Sequence, residues 1–506
     1  MSTKGSQKQK DSQSQTKLKE HQFIGKKLVP PFAQLNMTPA SWIDDRLPEM
    51  LWAELFTVAF PREEALKRFE EIVDIACEVT DTQPQGWREH PLVVTLSGIA
   101  KLEETEQLRF MEAIAKDDES KQALVPMLFF DNLPAKKKWE SVIKIVPTKE
   151  DTHKLVKAVA ACFFHQSQEA TDCRWVKALY AVKSGYVSFG PNVQETPRLI
   201  LDYPKHNEEQ MRRSRPSIRA MEINLDIRDS KYDWPENFWQ ECYDKTRCLP
   251  QNMSEEELKK RFPPHEQLAE DKKKLEEINQ ELTTHFWETE KGSKRDPKHE
   301  VAFGIALYAG DIATSNILMG MGRSSQGRMA LRSLVDCLIS LKYLAMKEDP
   351  TLWLAFRSHG TGQAKLVLQR AEEEERAPEY LDQENLGQIA NDDAWVEFVT
   401  VDIGDWDDSG LRSRAIEVGL KDRYDDYYTW PSSYTHGQWG AIREAIYGLC
   451  GNPLHRFHRI PLLQPLTLKE SREDIFLLLG DIVNLIYEIF PKDKQAKDES
   501  VKKPTQ

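Results

Sequence analysis

Cysteine is scarce in this chain: 7 in 506 residues, an odd number, with no Cys-x-x-Cys pair. That argues against a disulfide-stapled secreted scaffold and against zinc-ribbon or thioredoxin-type motifs. Cys77, Cys162 and Cys337 have small apolar neighbours, which predicts buried free thiols of a reducing compartment. Long hydrophobic runs are also missing. The most apolar stretch, residues 301–310, is interrupted by Asp311 and followed by Asn316. A bilayer span needs about 20 predominantly apolar residues, so a buried core helix is expected here instead. No apolar stretch follows the basic residues at the start, so no secretory signal is expected. Positive charge is in deficit, with 69 Lys and Arg against 82 Asp and Glu for a net charge of −13. Such a balance disfavours a chain-wide grip on nucleic acid while permitting a local basic patch.

What the chain does have is large apolar side chains, with 20 Phe, 14 Tyr and 13 Trp, enough for a sizeable core. Most of the apolar pattern repeats every three to four residues, the period of helices. Ala65, Phe69, Ile72, Val73 and Ala76 mark one helix; Leu155, Val159, Cys162 and Phe163 another; Trp175, Leu179 and Val182 a third. Leu268, Leu275, Ile278, Leu282 and Phe286 draw a single stripe on a charged helix over about 266–289. Helices are expected over 299–322 and 325–346. A last one is expected over 472–490, capped by Ser471-x-x-Asp474 and stopped by Pro491. Tyr186 to Phe189 is the best strand candidate. Residues 204–265 hold Pro204, Pro216, Pro235, Pro250, Pro263 and Pro264 and read as irregular, with Met211-Arg212-Arg213-Ser214-Arg215 as a solvated basic cluster. Residues 1–27 and 492–506 are polar and Lys-rich and read as disordered tails.

Chemistry-bearing residues concentrate in the C-terminal half. Arg328, Arg332, Asp336 and Ser340 recur every four residues at the edge of an apolar arc, so Arg332 and Asp336 are expected to pair and to face inward between helices. Gly360-Thr361-Gly362 with Lys365 lacks phosphate-loop spacing and reads as a helix break. Asp402, Asp405, Asp407 and Asp408 lack calcium-loop spacing and read as a solvated acidic insert. The stretch 424–461 is rich in Tyr, Trp and His. Cys450, His455, His458 and His436 are of metal-ligating types, but their spacing matches no standard site, and Arg456 and Arg459 would oppose a cation. The same His and Arg residues, with aromatic rings to stack bases, suit phosphate and RNA.

On the helix carrying Arg332-x-x-x-Asp336 and ending in Tyr343-Leu344, and on the later Ser432-x-x-x-His436-Gly437, the region of about 297–490 resembles a family of uncharacterised bacterial all-helical proteins. Such domains are in turn similar to HEPN-type bundles, many of which cut RNA in toxin and phage-defence systems with an R-x(4–6)-H motif. This chain departs from that motif. The nearest candidates are Arg261…His265, Arg295…His299 and Asn452…His458. A module without the motif would bind RNA rather than cleave it.

The expectation is therefore an all-α, cytoplasmic protein. Its parts are a tail (1–27), an N-terminal helical domain (28–250), a C-terminal HEPN-like helical domain (266–491) and a second tail (492–506). The resemblance implies an RNA-binding or metal-independent ribonuclease module of a bacterial stress or phage-defence system. In it His436 would take the 2′-hydroxyl proton, Arg332 would stabilise the phosphate and Asp336 would orient Arg332. Arg328, Tyr434, His455, Arg456 and His458 would hold the RNA. No metal and no cofactor is expected. RNA, another protein subunit or a second copy of the chain are the expected partners, and a membrane is not. The competing reading is a helical scaffold without chemistry. A shared cleft for Arg332, Asp336 and His436 would favour the enzyme.

Overall fold

The computed structural model describes residues 21–29, 41–81, 93–187, 195–226, 233–250, 254–259, 262–293, 295–373, 378–392, 405–462 and 468–492. Among these, helices dominate, and only two two-stranded sheets occur, so the fold is all-α as expected. The chain forms two compact units. The first comprises Met1–Gln251 with Leu449–Arg459; the second comprises Asn252–Gly448 with Ile460–Gln506.

In the first unit the apolar stripe of the Arg62–Asp81 helix buries Ala65, Leu66, Phe69, Val73 and Ala76. Trp52 meets Phe56 and Phe69 edge-on, at ring separations of 5.9 and 5.7 Å. The Gln168–Lys183 helix is buried nearly all round, so its charged residues need partners. Glu222 supplies the opposite charge, 3.0 Å from Lys177 and 3.6 Å from Arg174, and also 3.2 Å from Arg46. Glu222 sits on the Glu208–Asp226 helix, which continues through Pro216, so the expected irregular stretch is corrected here. One proline removes one backbone bond, while Ile218, Met221 and Leu225 bury a stripe against the Gln168–Lys183 helix. The basic cluster on this helix makes i,i+4 pairs, Arg212 with Glu208 and Arg213 with Glu209.

Two further expectations shift. Gln22–Ile24 and Lys27–Val29, within or beside the expected tail, pair as a hairpin. Its two-residue turn starts at Gly25, whose φ of 61° suits a glycine. Residues 1–20 and 493–506 of the expected tails lie outside the described residues. Tyr186 and Val187 are not strand, and Ser188 and Phe189 lie outside the described residues.

The second unit packs His265–Thr289, Pro297–Leu318, Ser325–Lys347 and Arg472–Ile489 around Leu275, Leu282, Phe303, Leu334, Leu479 and Ile482. Pro297–Leu318 is long and apolar enough to cross a membrane, but 56% of its most apolar window is buried inside the bundle. The Pro350–Glu373 helix is unbroken at Gly360-Thr361-Gly362, contrary to the expected break. Burial of Trp353, Thr361 and Ala364 outweighs a helix penalty of about 1 kcal/mol per glycine. The expected Ser471 cap is also replaced. Ser471 Oγ donates to the Gly322 carbonyl at 2.9 Å, and Glu470 accepts from the backbone N–H groups of Ser471 and Arg472.

Residues 449–459 leave the expected C-terminal domain and belong to the first unit. Leu454 is fully buried in that unit's core, and Phe457 meets Phe163 edge-on at 4.5 Å. Apolar anchoring of this excursion, not chain proximity, sets the boundary.

Candidate functional site

In the second unit four helices and the segment carrying Trp406 enclose an open cleft of about 530 Å³. Gly304 and Tyr308 stand one turn apart on the Pro297–Leu318 helix, and Gly304 leaves open space where a side chain would reach in. Arg332, Ser333, Asp336 and Ser340 come from the Ser325–Lys347 helix at the same spacing. Phe356, Trp406 and Arg414 complete the wall.

Arg332 is held on one side only. Its Nη2 donates to the Tyr428 hydroxyl at 3.2 Å, and the guanidinium lies 4.9 Å over that ring. The contact with Asp336 is long, 4.0 Å from Nη1 to Oδ2. The buried Arg332 Nε has no hydrogen-bond partner. Asp336 is half exposed to the cleft. Desolvation raises its pKa, and the charges of Arg332 and then Arg414 only partly oppose this. Burial, with the Asp336 charge adding to it, pushes the Cys337 thiol up to about 12, so it is no nucleophile at neutral pH.

Arg414 is different because its charge is matched. It bonds Asp407 at 3.2 Å and Asp405 at 3.4 Å and stacks 4.0 Å over Trp406. Burial raises the Asp407 carboxyl, but hydrogen bonds from Ser409 and the Arg414 charge outweigh it and leave it below the usual range. The expected solvated acidic insert is thus in part an ion-pair partner for a buried arginine; Asp402 lies outside the described residues.

The expected site residues are only partly brought together. Arg332 and Asp336 share the cleft but open into it instead of packing between helices, because Gly304 leaves the space facing them empty. His436 is exposed and does not line the cleft. Arg328 donates to the carbonyls of Lys469 and Gly322. Tyr434 is buried, donates to Glu444 at 2.5 Å, and has its hydroxyl pushed up to about 12 by burial and that bond. His455, Arg456 and His458 lie in the first unit. Arg456 is engaged there by Asp44 at 2.7 Å over the Trp239 ring. Sequence reasoning missed Gly304, Tyr308, Phe356, Trp406 and Arg414. The one signal for any of them was the helical spacing of Gly304 and Tyr308.

Residues 299–447 match a protein family described as a family of unknown function (DUF5677). The matched segment includes every residue lining the cleft, and His436, and ends before Cys450. No curated protein and no solved structure matches the chain.

Proposed function

We propose that the second unit is an RNA-binding module that receives an unpaired base in the Arg332–Asp336 cleft and does not cut the strand. The observation that carries this reading is the guanidinium of Arg332, whose Nε is buried without a partner at the cleft wall. A buried donor left unmade costs about 1–3 kcal/mol, which a ligand acceptor recovers. Arg332 offers donors and Asp336 an acceptor side by side. Each base presents the complementary pairing, an acceptor beside a donor, on one edge, with a spacing and order that differ from base to base. Tyr308, Phe356 and Trp406 supply apolar and stacking surface, and such stacking contributes about 1–3 kcal/mol per base. The cleft volume lies within the range of about 300–1,000 Å³ usual for small-ligand pockets. Binding without cleavage is favoured because no histidine among the described residues lines the cleft to act as general base.

The test is fluorescence titration of the full chain with short single-stranded RNAs of each base, alongside a cleavage assay on total RNA. Gly304→Leu is the informative variant. Its Cβ meets no atom within 4 Å, so the helix tolerates it while the side chain fills the cleft. The expected result is base-dependent binding by the wild type, weakened at least tenfold in Gly304→Leu and Arg332→Met, with no new RNA ends. RNA affinity equal in all three proteins, or absent from the wild type, would sink the proposal.

A further inference from the structure

We propose that Cys248, Cys450, His455 and His458 form a closed Cys2His2 site for a structural zinc ion in the first unit. Their four ligand atoms all lie within 4.8 Å of one another. Cys248 Sγ is 3.3 Å from His458 Nε2 and 3.4 Å from His455 Nδ1, and Cys450 Sγ is 3.7 Å from His455 Nδ1. Tetrahedral zinc, with Zn–S near 2.3 Å and Zn–N near 2.0–2.1 Å, has S···N edges of about 3.5 Å. The three S···N contacts of 3.3–3.7 Å bracket that edge length.

The surroundings orient the donors. Thr246 Oγ1 donates its hydrogen to the Cys242 carbonyl at 2.6 Å, so toward His455 Nε2, 2.9 Å away, it acts as acceptor. That assigns the proton to Nε2 and leaves the Nδ1 lone pair facing both sulfurs, the outer-shell arrangement metal-bound histidines use. The Leu249 N–H donates to Cys450 Sγ at 3.3 Å, fixing the sulfur's position. The Tyr243 ring lies 5.1 Å from His455 and 5.9 Å from His458 and shields them.

Backbone geometry also serves the site. Cys248 and His455 are 207 positions apart, yet Gly451 N–H bonds the Leu249 carbonyl at 2.7 Å and Pro250 bridges Cys450. Between the two histidines, Arg456 and Phe457 take positive φ of 52° and 45°, a strained turn for non-glycine residues, and Cys450 N–H closes it on the His458 carbonyl. Arg456, which the sequence set against a cation, is bonded to Asp44. His436, the fourth donor weighed from sequence, belongs to the second unit; Cys248 takes that place.

Two thiolates and two imidazoles in a tetrahedron select zinc over harder divalent ions. Four protein donors leave no open position, so the role is structural. Binding releases the two thiol protons, and the ion ties residues 449–459 to residues 246–250.

The test is metal analysis of the full chain isolated without chelator, followed by chelator removal and reloading with Co²⁺ alone. One zinc per chain and a tetrahedral thiolate–cobalt spectrum are expected. Both are lost in Cys248→Ser and His458→Ala, and Thr246→Val lowers zinc affinity about 10–100-fold. If the ligand variants misfold, the cobalt spectrum of the wild type decides. Zinc-free protein without that spectrum, zinc unchanged in both ligand variants, or a Cys248–Cys450 disulfide would each overturn the assignment. None of these readouts involves RNA.

Discussion

Arg332 and Asp336 stand one helical turn apart with 4.0 Å between Nη1 and Oδ2, and both open into the cleft of the second unit. Water reaches the pair, so its stability contribution is small. Asp336→Ala is expected to cost under about 1 kcal/mol in a thermal melt. A loss of about 3–5 kcal/mol, as for a buried pair, would show the cleft to be closed in solution.

Glu54 is fully buried, and neither carboxylate oxygen has a hydrogen-bond partner. Burial lifts its pKa well above the ordinary value, and the neighbouring Cys162 adds to the shift. The native state thus keeps a proton that the unfolded chain releases near pH 4.3. Its stability contribution is full below that value and is lost as pH rises toward the folded pKa. Glu54→Met should stabilise by on the order of 1–3 kcal/mol at alkaline pH. Melts across pH should show that gain shrinking on acidification.

Glu222 has the opposite sign. Desolvation pushes its carboxyl up, but the charges of Lys177, Arg46 and Arg174 outweigh it and hold the pKa below the ordinary value. Its contribution is present above about pH 4.3 and is lost as pH falls through the folded pKa. Glu222→Ala should cost about 3–5 kcal/mol near neutral pH, read by urea denaturation.

Leu454 is the apolar anchor of the 449–459 excursion. Leu454→Ala should cost about 2–5 kcal/mol in the transition of the first unit. An unchanged denaturation curve would mean that this segment is not held in that core.

At Gly327 an added Cβ would lie 2.8 Å from the carbonyl oxygens of Met321 and Gly322. Those are backbone atoms with little room to retreat. Gly327→Ala should destabilise by about 1–3 kcal/mol despite the better helix propensity of alanine, as a thermal melt would report.

The helices were legible because burial repeats along the chain with the period of the helix itself. Leu275, Leu282 and Phe286 mark the His265–Thr289 helix, and Leu331, Leu334, Leu338 and Leu341 mark Ser325–Lys347, before any contact is known. Local signals misled where a packed face outweighed a breaker, as at Pro216 and at Gly360-Thr361-Gly362. Arg332 and Asp336 were found by spacing because they share one helix. Tyr308, Phe356, Trp406 and Arg414 were not, because they reach the cleft from four other segments with no common period. Cys248 is the extreme case. Nothing near it in sequence resembles a ligand set, and its partners Cys450, His455 and His458 lie about two hundred residues downstream. Periodicity is a property of covalent neighbours. Convergence of distant side chains depends on which apolar anchors, such as Leu454, the core accepts, and only the tertiary structure decides that.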